Sequence, residues 1–374
     1  MENHASLFVN TSIIMVCVVM AIVFLTVPLP PSIKLKKYRI SLRFLAGAYI
    51  ILAILKAIIL ANNIVIVEII SMERLTISSL QATLFAIAMI TLINPVFVTN
   101  SYLIKQILPV VILNILYFLL LESFEYIELT NYTQLFQNLF NPIVLIREIF
   151  VIYYIFQLFY LTKLFFYQFS TYKNEINNYF SEGYHLYLPW IKYSFFCVLF
   201  IGVGALFSCF ILSELCMFIY TIIYGVFYLV FGVFYIQYPN TFMNVQPAIY
   251  PQEENKEITE IHYKRHKWDE LKNYIIEEKI YLKAGVTIED ISHFLKIGRT
   301  TLSMYINNEE GMNFNMWINK LRIEEAKKLF IKYPNYNLID ISEMVGFSES
   351  SNFSRQFKII TNETPSFWRQ NRMS

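Results

Sequence analysis

Arg299, Thr300, Ser303 and Asn307 cluster in one short segment, and Ser348, Glu349, Ser350, Asn352, Ser354, Arg355 and Lys358 cluster in another. Guanidinium, ammonium, hydroxyl and amide groups of these kinds bond phosphate oxygens and base edges, provided that a helix presents them to one side. The flanking residues supply such helices. Ile291, Leu295, Ile297, Leu302 and Ile306 are spaced as the core of two short helices meeting at a turn near 296–298, with Arg299 opening the second. The pattern recurs over 338–358, where Gly346 serves the turn, Ser348 is placed to cap the second helix, and Phe353 and Phe357 anchor it one turn apart. A helix predicted over 313–333, with Trp317, Leu321, Ala326 and Leu329, joins the two copies. Another, predicted over 261–283, carries Trp268, Leu271, Ile275 and Leu282 on one stripe and stops at Gly285. A single helical hairpin of this sort is weak evidence; a tandem pair is much stronger.

Over about 268–372 the tail resembles the DNA-binding domain of AraC/XylS-type transcription regulators. The residues that carry the resemblance are Leu321, Arg322, Ala326 and Leu329, then Gly346, Phe347, Phe353, Arg355, Phe357 and Lys358, then Thr364, Pro365, Phe367 and Arg369. Asn362 stands where Gly is usual, and Asn tolerates a left-handed backbone. Trp368 takes the place of a common Tyr or Phe, Met304 that of a frequent basic residue, and Ser292 and Ser342 that of a small Ala. The resemblance implies two recognition helices reading successive major grooves of double-stranded DNA about one turn (~34 Å) apart, with RNA polymerase as a further partner. Between 251 and 374 there are 18 Lys and Arg against 18 Asp and Glu. Non-specific affinity rests on neutralised phosphates, so a tail of zero net charge binds modestly, which suits a homodimer or a protein that acts when signalled.

The preceding residues belong to a different medium. The chain is 56% hydrophobic, 17% aromatic and 16% charged, where a soluble domain carries roughly 25% charge. No charged residue lies between Arg74 and Lys105 or between Glu214 and Glu253. Apolar stretches of bilayer-crossing length occur at 7–27, 40–60, 75–98, 103–121, 143–166, 190–212 and 215–238. The first has no Lys or Arg ahead of it and no cleavage pattern before Pro28, so it reads as a retained span. Cys17, Cys197, Cys209 and Cys216 all fall within these stretches without metal-ligand spacing. The expected architecture is all-α: a polytopic transmembrane bundle of seven spans over 1–238, a linker over 239–260, and a cytoplasmic tandem helix-turn-helix domain over 261–374, its units at about 288–307 and 338–358.

Loop charges orient the spans. With the N-terminus outside, the inner loops hold Lys34, Lys36, Lys37, Arg39, Arg43, Lys105, Lys163, Lys173 and Lys192. The outer side holds Arg74 and Arg147, with Lys56 nearby, among Glu68, Glu73, Glu122, Glu125 and Glu128. The positive-inside rule then places the tail in the cytoplasm of a bacterial (inner) membrane. Lys56, Arg147 and Glu148 are candidates for a membrane signal site, although groups near span ends also snorkel or pair locally. Asn94-Pro95 and Pro109 can kink their spans. The longest inner stretch between spans, 169–189, is placed to contact the tail and relay rearrangement of the bundle.

No Gly-rich phosphate loop, kinase-like ATP motif or nucleophile beside a base is present, and His185 stands alone, so no catalytic role and no cofactor is read. His262 and His266 are one turn apart but lack a third ligand, so no metal site is read either. The leading reading is a membrane-bound, sequence-specific DNA-binding regulator whose bundle senses an extracellular or membrane-phase signal or anchors the tail. The alternative is a membrane receptor or transporter whose tail binds a protein.

Overall fold

A computed structural model describes residues 2–31, 35–61, 68–94, 96–182, 189–249 and 265–373. Lys34, Pro95, His185, His262, the side chain of His266 and the linker stretch 250–260 lie outside the described residues. Sixteen α-helices and one 3-10 turn make up the described structure, with a lone antiparallel bridge between Phe180 and Thr287. Two compact units divide the chain: Met1–Ser170 with Pro189–Asn244, and Thr171–Leu188 with Val245–Ser374.

The first unit contains α1 (Glu2–Thr26), α2 (Lys36–Ala61), α3 (Met72–Ile93), α4 (Asn100–Ser123), α5 (Tyr132–Gln137), most of α6 (Pro142–Tyr179), α7 (Pro189–Ser208) and α8 (Glu214–Ile236). All of these except the short α5 are long and apolar enough to cross a membrane. Helix α3 is the centre. Its residues 82–93 are all buried, and α2, α4 and α7 pack around it, with α1 against α2 and α8. By contrast α4 buries only Val110 and Tyr117. Phe118, Phe159 and Phe200 face outward, Phe159 with 77% of its surface exposed. Exposed apolar surface on this scale marks contact with another apolar phase or partner. Asn94 caps α3 rather than kinking it, and Pro109 sits inside α4.

Polar side chains turn inward instead. Ser79 donates to Gln157 Oε1 at 2.6 Å, Gln157 donates to Thr83 at 2.8 Å, and Asn94 donates to Gln168 at 2.8 Å. Arg147 is wholly buried, and so it pairs rather than snorkels. It lies 2.5 Å from Glu68, donates to Tyr117 at 3.0 Å and faces the Tyr126 ring at 5.1 Å. Glu68 is completed by the Tyr126 hydroxyl at 2.8 Å and the Leu129 N–H at 3.3 Å. The three anchoring elements, the stretch before α3, α4 and α6, are thereby tied at one point.

The second unit departs from the expected layout at three places. Helix α6 continues to Tyr179, so the loop expected from 169 begins later, and 171–182 belong to this unit. The expected linker opens as a helix, α9 (Pro239–Ile249): Pro239 has no N–H to lose in a first turn, and Phe242, Val245 and Ala248 bury one stripe. The helix expected over 261–283 ends earlier, as α10 (Arg265–Glu277), because Lys279 adopts a left-handed conformation and a 3-10 turn, Ile280–Leu282, follows. The rest comprises α11 (Ile288–Leu295), α12 (Arg299–Glu309), α13 (Phe314–Lys332), α14 (Leu338–Met344), α15 (Ser350–Thr361) and α16 (Pro365–Met373).

Breaking a buried ion pair by removing one partner costs about 3–5 kcal/mol, because the other charge is stranded. Arg147→Met is therefore expected to lower the unfolding free energy of the detergent-solubilised protein by about that amount, and Arg147→Met/Glu68→Met to recover most of it. Equal losses in the single and double variants would show that the pair is not the source.

Candidate nucleic-acid interface

Each helix-turn-helix unit starts with the same device. Thr287 accepts from the Asp290 N–H while Asp290 accepts from the Thr287 N–H, and Asn337 and Asp340 repeat this reciprocal cap before α14. In the first turn Lys296 is left-handed and Gly298 caps α12. Gly346 makes the second turn with φ +88°. A Cβ there would sit 2.2 Å from the Leu282 carbonyl oxygen, so only glycine fits. Asn362 ends α15 in the left-handed region at φ 61°, as a residue replacing glycine must.

Helix α13 is shared by two cores. Its start (Phe314, Trp317 and Ile318) packs with Trp268, Ile291, Leu302 and Ile306. Its end (Ile323, Ala326 and Phe330) packs with Ile341, Phe353, Phe357 and Trp368. Between them sits Arg322, fully buried. It donates to the carbonyls of Tyr281 and Lys283, both at 2.7 Å, which the break after α10 has freed from a helical ladder. It also faces the Phe347 ring at 5.3 Å and reaches Glu182 at 3.3 Å. Burial lowers the Arg322 pKa to about 10, with the Glu182 carboxylate opposing the shift. On the same helix burial would raise Glu325, but hydrogen bonds from Lys279 and Lys328 outweigh it and hold the carboxyl below its usual range.

The outward face of α12 carries Thr300, Met304 and Asn307, with Ser303 half-buried beside them. That of α15 carries Ser351, Arg355 and Lys358, with Ser348 and Glu349 exposed just ahead and Ser350 and Ser354 half-buried at its flanks. Asn352 corrects the sequence reading: it is buried, and accepts from Arg355 at 2.9 Å. Ser351, which the sequence reading passed over, takes the exposed position. The signal was there, since Ser351, Arg355 and Lys358 are spaced one and two turns apart. Ser348 does not cap α15 either; Glu349 is the N-cap residue and makes no side-chain cap bond.

Ser348 has another partner. Its N–H donates to Glu182 Oε1 at 3.1 Å and its hydroxyl to Glu182 Oε2. Arg299 is likewise engaged, donating to the carbonyls of Pro247 at 2.8 Å and Ala248 at 3.1 Å with the Tyr179 ring 4.7 Å away. The Tyr179 hydroxyl donates to Glu289. Asn315 donates to the carbonyls of Phe180 at 3.1 Å and Ser181 at 2.6 Å, and Ser181 donates to the Val286 carbonyl at 3.1 Å. Tyr179 and Ala248 are members of the first of the two cores. The segment ending α6 and the end of α9 are thus built into the helix-turn-helix unit.

The three candidates for a membrane signal site are not brought together. Arg147 pairs with Glu68 and donates to Tyr117, Lys56 donates to Asn10 at 3.3 Å, and Glu148 is half-buried.

Residues 291–371 match a protein family described as "Helix-turn-helix domain". The raffinose operon transcriptional regulatory protein RafR of Pediococcus pentosaceus is 31% identical over 86 residues, 23% of this chain and 31% of that protein. An uncharacterized HTH-type transcriptional regulator of Staphylococcus aureus (strain COL) is 29% identical over 94 residues, 25% of this chain and 12% of its own. The chain therefore spans a third or less of the length of these relatives. A solved structure, the C-terminal domain of AraT, a response regulator from Geobacillus stearothermophilus, has 28% identity and a TM-score of 0.26, covering 29% of this chain and 86% of its own. The C-terminal region of this chain is a helix-turn-helix domain. It is of the AraC type.

Gly346→Ala combines a left-handed backbone with a carbonyl clash, and is expected to destabilise the second unit by roughly 2–4 kcal/mol. Hydrogen exchange of α14 and α15 measures it; unchanged protection would mean that the turn can shift without cost.

Proposed function

We propose that this protein is a membrane-held, sequence-specific DNA-binding transcription regulator. The observation that carries the reading is the union, in one chain, of seven helices of bilayer-crossing length among the described residues and an AraC-type helix-turn-helix domain. The apolar residues that face outward on α4, α6 and α7 suit contact with lipid, and the polar networks turned inward are what a helix bundle in hydrocarbon requires. In this reading the tail lies in the cytoplasm, as the loop charges require, and reads double-stranded DNA through α12 and α15. Thr300, Ser303, Asn307, Glu349, Ser350, Ser351, Ser354, Arg355 and Lys358 supply the contacts to bases and phosphates. RNA polymerase is the further partner that a transcription regulator requires, and a homodimer would offset the tail's lack of net positive charge.

The bundle senses a signal, and the end of α6 conveys it. Helix N-termini and their N–H groups attract phosphates. At the entry to α15 that place is taken by the Glu182 carboxylate, bound to the Ser348 N–H and hydroxyl. Arg299 is held by backbone carbonyls of α9. The domain is thus held in a restrained state, in which an internal carboxylate stands where a DNA phosphate would bind.

Genome-fragment capture by the full-length protein in nanodiscs tests both parts. Wild type is expected to enrich one defined motif, and Arg355→Glu/Lys358→Glu to lose at least tenfold in affinity for it. Glu182→Gln is expected to bind several-fold tighter, with a salt dependence steeper by about one phosphate contact. No enrichment by any folded variant would favour a tail that binds protein; an unchanged Glu182→Gln affinity would remove the restraint from the reading.

A further inference from the structure

A cavity of about 350 Å³ lies within the first unit, between α2, α3, α6, α7 and α8. That size falls within the range of ligand pockets, ~300–1,000 Å³. Its walls are apolar and aromatic, with Leu52, Phe85, Tyr154, Phe227 and Tyr228 among them. Polar groups are a minority of the lining, the composition typical of a small-molecule site.

Three of those polar groups keep unused bonding capacity. The Gln81 amide nitrogen and the Tyr224 hydroxyl are buried with no hydrogen-bond partner. Lys56 gives one N–H to Asn10 at 3.3 Å, sits 5.4 Å from the Tyr224 ring centre, and makes no ion pair with a carboxylate among the described residues. Arg74 also lines the cavity, but its N–H groups are used by Ser71, the Ser208 carbonyl and the Glu68 carbonyl. Glu73, the one carboxylate in the lining, is exposed. Unused donors beside an uncompensated cation call for a group that only accepts hydrogen bonds and carries negative charge. The walls call for an apolar body attached to it.

We propose that this cavity is the signal-binding site and takes an anionic amphiphile, with the acid group on Lys56, Gln81 and Tyr224 and the hydrocarbon or aromatic body against Phe85 and Tyr228. The proposal rests on the reading of the apolar helices as membrane spans. The acid could arrive as a free small molecule or as part of an anionic lipid, and both offer the same chemistry.

The test uses the full-length protein in phosphatidylcholine nanodiscs with a diazirine-bearing decanoic acid, adducts being mapped by mass spectrometry. Failure to insert into nanodiscs would overturn the reading of spans, separately from the site. Once the protein is inserted, saturable labelling is expected on α3 and α8 at the cavity, competed by decanoate and not by decanol. Lys56→Met should reduce it at least tenfold and Lys56→Arg should retain it. Competition by phosphatidylglycerol at the same positions would assign the acid to the lipid; its absence would assign it to a free acid. Labelling spread over the outer apolar face, including Phe159 and Phe200, and indifferent to Lys56→Met, would overturn the proposal.

Discussion

A guanidinium cannot be buried without acceptors for its fixed fork of N–H groups, and Arg322 imposes that demand on the whole helix-turn-helix unit. Two carbonyls come from the chain after α10, which must therefore leave the helical ladder at Lys279. The third acceptor is a carboxylate from the end of α6. With Leu282 drawn in beside the arginine, the second turn passes so close to its carbonyl that no side chain is allowed at Gly346. Backbone break, obligate glycine and borrowed carboxylate are three results of one burial.

The first unit solves the same problem in a different setting. Glu68 and Arg147 neutralise each other, and Tyr117, Tyr126 and the Leu129 N–H complete them. There the charges are paired with each other, whereas Lys56 has no carboxylate partner among the described residues. The contrast separates charges that hold the bundle together from charges left with bonding capacity.

Much of this was legible in the sequence, because periodicity reports local burial. Phe353 and Phe357 one turn apart, and Ile291 with Leu295, placed both helical hairpins. Long apolar runs placed the apolar helices closely, except that α6 runs on well past 166, to Tyr179. What escaped was non-local. Nothing near Glu182 says that its partner is an arginine 140 residues on. The early end of α10 was hidden for the same reason: Trp268, Ile275 and Leu282 keep a helical spacing, yet a distant side chain claims the backbone between them. The reciprocal caps at Thr287 and Asn337 were legible as spacing and simply went unread.

The dependence of Arg322 on Glu182 bears on how such a protein can be inherited. A tail that closed its own core could be exchanged between regulators by one recombination event in the stretch before α10. Here that cut would separate the arginine from its carboxylate, and Tyr179 and Ala248 from the core they complete. Such an exchange would have to carry the end of α6 with the tail to keep Arg322 beside its carboxylate. The domain is modular in its fold, yet its core is completed by residues far upstream of it.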